Sequence, residues 1–132
     1  MTYLPAHIDP KILAIIKASF DDGGLPLPFV KEIFLLECLV AGTSHLDLSE
    51  IEPLLCANEP LIFRRELDNQ YDTLAILILD KEGHKLGYIP KEKNEVPARL
   101  MDAGKLLFGR LENKEWQSRW LKLRIRVFMR DM

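Results

Sequence analysis

Trp120-Leu121-Lys122-Leu123-Arg124-Ile125-Arg126-Val127-Phe128-Met129-Arg130 alternates from end to end. Successive side chains of a strand point to opposite faces. Leu121, Leu123, Ile125, Val127 and Met129 therefore share one face, and Trp120, Lys122, Arg124, Arg126, Phe128 and Arg130 share the other. A period of two sustained this long marks a strand buried on one side and solvated on the other. The stretch sets the class of the whole domain: a sheet with one wet face.

Reading outward from it, Lys105–Leu111 is the preceding strand, with a polar loop expected around Asn113. Residues 94–103 read as a helix, with Asn94 as cap and Gly104 just past the end. Strands are expected at Lys85–Ile89, stopped by Pro90, and at Leu74–Leu79. Asp80-Lys81-Glu82-Gly83 is the hairpin loop between them, with Gly at the strained position. Leu61–Glu66 is a further strand, followed by the polar turn Asp68-Asn69-Gln70-Tyr71-Asp72. Ser49–Leu55 reads as a short helix, Ser49 capping it and Glu52 completing a capping box. Ile33–Val40 is a long buried strand.

The sum is a mainly β chain: a small, OB-like, partly open barrel of about six strands with two or three short helices. Leu36, Ile62, Ile76, Leu86 and Ile125, one from each of five strands, are expected to share its core. Residues 33–132 form that domain. Residues 1–32 read as an addition packed on it: a helix started by Asp9-Pro10 and stopped near Gly23-Gly24, then the extended linker Leu25-Pro26-Leu27-Pro28.

Length and composition agree with one globular domain. The chain has 132 residues, 48% hydrophobic and 29% charged, with a formal net charge of −2. The charge is uneven. Residues 105–132 hold eight Lys/Arg against three acids, whereas residues 1–104 hold ten against seventeen. A basic end on an acidic body favours a localised anionic partner, or attraction between copies. Cys38 and Cys56 lie in apolar surroundings without metal-like spacing and read as buried small hydrophobes. The start lacks the pattern of a secretion signal, and no apolar run approaches the ~20 residues that span a bilayer. A cytoplasmic protein, off the membrane, is the expectation.

Four blocks in order carry a family resemblance. They are Val40-Ala41-Gly42-Thr43-Ser44-His45; Leu61-Ile62-Phe63-Arg64-Arg65-Glu66-Leu67-Asp68-Asn69-Gln70-Tyr71-Asp72; Ala75-Ile76 with Gly83 and Leu86-Gly87-Tyr88-Ile89-Pro90-Lys91; and Asn94 with Ala98-Arg99-Leu100-Met101-Asp102-Ala103-Gly104. Over about ninety residues the chain resembles the HIRAN family. The resemblance implies a modified OB-like barrel. It also implies a nucleic-acid-binding role: HIRAN modules stand at the front of eukaryotic fork-remodelling translocases, where they capture the 3′-hydroxyl end of single-stranded DNA. Bacteria carry them alone, and a chain of this length without helicase motors resembles that standalone type. Two departures stand out. Leu67 and Gln70 occupy family proline positions, and Ser44-His45-Leu46 replaces the Arg and Tyr pairs of the end-capturing members. The preference for a free 3′ end is accordingly expected to be weak.

The candidate contacts are Ser44, His45, Arg64, Asn69, Tyr71, Asp72, Tyr88 and Lys91. A loop Tyr offers a face for base stacking, Asn pairs a donor with an acceptor, Asp accepts from a sugar hydroxyl, and Lys91 resembles a family phosphate contact. The plainer alternative for Asn69 and Asp72 is turn capping through their own backbone. Of Arg64 and Arg65, one is expected to pair with Glu66 or a cross-strand acid. Lys122, Arg124 and Arg126, flanked by Trp120 and Phe128, form a secondary basic face, or simply a solvated strand surface. His7, His45 and His84 are far apart and fit no triad or zinc pattern, so neither catalysis, metal nor cofactor is expected. Expected partners are single-stranded DNA or DNA ends, with a homodimer or a DNA-processing protein as further possibilities. The competing function is a protein-interaction or assembly module with no nucleic-acid ligand.

Overall fold

The C-terminal alternation is realised as β6 (Trp120–Asp131), whose inward residues Leu121, Leu123, Ile125 and Val127 are all buried. The computed structural model describes residues 31–131, so the expected helix at 10–20 and the Leu25–Pro28 linker lie outside the described residues. Before β6 come β1 (Lys31–Leu39), β2 (Pro60–Arg65), β3 (Ile76–Leu79), β4 (Lys85–Tyr88) and β5 (Leu106–Gln117). They form one antiparallel sheet in the order β1-β6-β5-β2-β3-β4. One short helix, α1 (Glu95–Asp102), packs against β5.

The sheet curls until its two edges meet. Just past β1, Ala41 and Tyr88 exchange both backbone hydrogen bonds, at 2.8 and 2.9 Å. Gly87 makes this approach possible. Its φ is +147°, and a Cβ there would collide with the Ala41 carbonyl oxygen and the Val40 side chain. Inside the curl, Leu61, Ile76, Ile78, Leu86, Leu111, Leu123 and Ile125 form the core, each stabilised by about 1.5–3 kcal/mol of burial.

Ile76, Leu86 and Ile125 sit in that core as expected, and Leu36 packs at its margin. Ile62 does not: it is 47% exposed. Leu61 and Phe63 point inward on β2, so the period of two places Ile62 on the outer face, opposite Leu79 and Phe108.

Five local expectations change. The loop around Asn113 is strand: β5 runs on to Gln117, and the turn is Ser118-Arg119, with Ser118 at φ +58°. What marks the Asn113 region is a register shift between Leu111 and Asn113, a bulge that bends the hairpin without ending it. The 49–55 helix shrinks to a 3-10 turn at Glu52–Leu54, because Pro53 lacks an N–H and disfavours helix at the residue before it. Ser49 caps nothing: its hydroxyl and N–H donate to Asp47, and the 3-10 turn starts after Ile51 without a side-chain cap. Asn94 makes no side-chain cap bond to α1; it is buried and turned elsewhere. Cys38 is buried, and burial pushes its thiol up to about 11. Cys56 is exposed, because it sits in the loop beyond the 3-10 turn.

Candidate nucleic-acid interface

The turn after β2 is built by its own polar side chains. Asn69 Oδ1 accepts the N–H groups of Tyr71 and Asp72, at 2.8 and 3.0 Å. Asp72 Oδ1 accepts the N–H of Leu74 at 2.9 Å, and its Oδ2 accepts from Asn94 Nδ2 at 2.6 Å. The Asn94 side chain is thus spent on fastening this loop to the start of α1. Asn69 and Asp72 make the turn contacts that the plainer reading gave them. Their work leaves Tyr71, between them, 87% exposed.

Behind the loop lies a shallow cleft of about 660 Å³, lined among others by Arg64, Glu66, Asn69, Tyr71, Leu77 and Tyr88. Register explains the convergence: Arg64 faces Leu77 across β2–β3, and Leu77 faces Tyr88 across β3–β4, so the three form one row on the outer face. Glu66 lines the same cleft. Its Oε1 accepts from the Tyr88 hydroxyl and from Asn69 Nδ2, both at 2.8 Å. Those two bonds, Tyr88 first, hold its carboxyl below the usual carboxylate range, with smaller help from Lys85 and Arg64. Lys85 Nζ lies 4.8 Å from the centre of the Tyr88 ring.

Lys91 follows Pro90 on a 3-10 turn, and its Nζ reaches the Tyr71 carbonyl at 3.4 Å. Arg64 is exposed and makes no hydrogen bond to another described residue. Arg65 is different. It forks onto Asp102 at 2.9 and 3.1 Å and donates to the carbonyls of Ala75 and Thr73, tying β2 to α1 and the loop. Its acid is therefore on α1, not Glu66.

Ser44 and His45 are exposed on the 3-10 turn Thr43–His45. Thr43 anchors this turn by donating to the Leu121 carbonyl at 2.8 Å. The turn adjoins the cleft through Gly42, where a Cβ would lie 3.9 Å from the Tyr88 ring.

Glu66, Lys85 and Asn94 escaped the sequence reading. An acid within a site sought for phosphates carries the wrong sign, a lysine on a hairpin reads as solvated, and an Asn before a helix reads as a cap. The four-block resemblance already held Glu66 and Asn94, and that was the available signal.

The secondary basic face is more neutral than its sequence. Arg124 pairs with Glu37 at 3.4 Å and Arg126 with Glu112 at 2.8 Å. Lys122 lies opposite Glu115 in the β5–β6 register.

Among the described residues no three His, Cys, Asp or Glu side chains gather as a metal site, and no helix is long and apolar enough to cross a membrane.

The family model described as the HIRAN domain matches residues 33–130. A crystal structure of a protein from Lactobacillus plantarum is 27% identical, covers 78% of this chain and 99% of its own, and superposes with a TM-score of 0.71. The crystal structure of the HIRAN domain of human HLTF is 19% identical, with 75% of this chain and 78% of that one covered and a TM-score of 0.59. Among curated proteins no match is found.

Proposed function

The chain belongs to the HIRAN family, and on that premise we propose that it is a binding module for nucleic acid, taking single-stranded or frayed DNA ends at the Tyr71 cleft. The observation that carries this reading is the Tyr71 ring, almost wholly exposed on a loop pinned from both sides by Asn69 and Asp72. A pinned aromatic offers a stacking face at little entropic cost, and stacking on a base is worth about 1–3 kcal/mol. Lys91, whose Nζ reaches the Tyr71 carbonyl, and Arg64, which lines the cleft with Tyr71, serve as phosphate partners. The Tyr88 hydroxyl, whose proton goes to Glu66, and the Glu66 carboxylate supply acceptors for a base amino group or a sugar hydroxyl.

Asp72 serves chiefly by holding Tyr71, although each carboxylate oxygen retains a second lone pair for a terminal hydroxyl. Ser44 and His45 close the neighbouring side with little stacking surface. The module therefore discriminates a free 3′ end weakly.

The test is fluorescence anisotropy with matched oligonucleotides whose 3′ hydroxyl is free or phosphorylated, at two salt concentrations. Binding that weakens as salt rises, with a small difference between the two ends, is expected. No binding to any single strand at low salt overturns the reading in favour of a protein-assembly module.

A further inference from the structure

The outer face of the sheet carries an apolar stripe that the cleft does not use. Phe108 on β5 stacks on Phe128 of β6, centroids 5.5 Å apart, and Phe128 meets Phe34 of β1 edge-on at 5.8 Å. Ile62 lies directly opposite Phe108 on β2. Ile62, Leu106 and Phe34 are 47%, 52% and 54% exposed. The guanidinium groups of Arg110 and Arg130 sit over the Phe108 ring, at 5.3 and 5.2 Å from its centre. A second groove of about 390 Å³ runs between them and Ile62.

This stripe is continuous with the cleft. Arg64, which lines the cleft, and Ile62, which lines the groove, are two residues apart on the same face of β2. Such neighbours are about 7 Å apart along a strand, and the next strand lies about 5 Å away. The two steps are at right angles, so Arg64 to Phe108 is about 9 Å, the length of roughly two or three stacked nucleotides at ~3.4 Å each. Charge fits the same occupant. Arg110 bonds to Glu32 at 3.1 Å and Arg130 approaches it at 3.9 Å, so two guanidiniums share one carboxylate and the stripe keeps a positive excess. Arg130 Nε is buried without a hydrogen-bond partner among the described residues.

We propose that a single strand held at Tyr71 continues past Arg64 onto the Ile62–Phe108 stripe, where Arg110 and Arg130 contact its phosphates. The inference rests on the single-strand reading of the cleft and extends it from a terminal nucleotide or two to a track. Arginine planes and exposed apolar side chains suit bases of any sequence, so the track is insensitive to sequence.

The test uses the full chain and oligothymidylates of about three and about ten residues, bracketing the lower part of the ~4–16-nucleotide range of OB-fold sites. Affinity is measured against salt. Several binding registers on the longer strand raise its affinity but leave its salt slope alone, so the slope is the informative quantity. Arg110→Ala is expected to flatten the ten-residue slope by about 0.7, the value of one single-strand phosphate contact. Ile62→Glu, at an exposed position that leaves the core intact, is expected to weaken the ten-residue strand at least about tenfold and leave the three-residue strand unchanged. Unchanged ten-residue binding in both variants overturns the track while the cleft reading stands. Failure of both lengths to bind wild type overturns the two together. A dimer in sedimentation equilibrium that Ile62→Glu dissolves assigns the stripe to a second copy and likewise overturns the track.

Discussion

The Glu66–Asp72 loop and the outer face of β6 are both dense in polar side chains, and they use them in opposite ways. In the loop, Asn69, Asp72 and Glu66 turn their oxygens inward onto backbone amides, Asn94 and Tyr88. On β6, Arg124 and Arg126 turn their charges sideways onto Glu37 and Glu112. The loop converts polar groups into rigidity and displays one aromatic ring. The strand face converts them into mutual neutralisation. A cluster of side chains suited to nucleic acid is therefore judged by what its neighbours leave over.

The largest test strikes the frame that the loop leans on. Gly87→Ala is expected to destabilise the chain by about 3 kcal/mol, because the new methyl group overpacks the Ala41–Tyr88 seam and the backbone there disfavours any side chain. Chemical denaturation measures it, and a loss under 1 kcal/mol would mean that the seam is slack.

Asn94→Ala comes next. It strips the buried donor from Asp72, and an orphaned polar partner costs about 1–3 kcal/mol. Loss of stability should come with reduced oligonucleotide binding, since the Tyr71 loop loosens. Normal binding would show that the loop holds its shape alone.

Tyr71→Ala separates display from rigidity. Binding is expected to fall by about 5- to 150-fold, one lost base stack, with the unfolding midpoint unmoved. At the small end, Lys91→Ala should flatten the salt dependence by about one phosphate contact. Arg124→Ala should change neither binding nor stability by more than about 0.5 kcal/mol, because its partner is a half-exposed surface acid. An Arg124 effect as large as that of Lys91 would erase the distinction between the two regions.

Much of the fold could be read from patterns that local physics controls. The alternation of 120–130, the Gly83 hairpin and the Gly104 helix stop each concern a few contiguous residues, and each stands in the structure. Two of the errors arose where a distant partner decided the outcome. Ile62 needed the parity of β2, which only its pairing with β5 reveals. Asn94 looked like a cap until Asp72, twenty-two positions earlier in the chain, came within reach. For the site, the resemblance named the cleft residues but not their division of labour. The acids that quiet Arg124 and Arg126 include one from β1, some ninety positions away, and no window along the chain brings them together.

The single extra residue at Glu112 also acts as a counting device. Before it, Leu107, Gly109 and Leu111 face inward; after it the inward parity passes to Lys114 and Trp116, opposite Leu123 and Leu121. Lys114 is thereby aimed at the Glu52 carbonyl, 2.8 Å away, and clamps the 43–55 segment against the hairpin. A deletion of that one position would shorten the chain by less than one per cent, yet it would turn Lys114 to the solvent face and release the clamp. Homologues of this protein should therefore tolerate substitution at 112 far more readily than a change in length there.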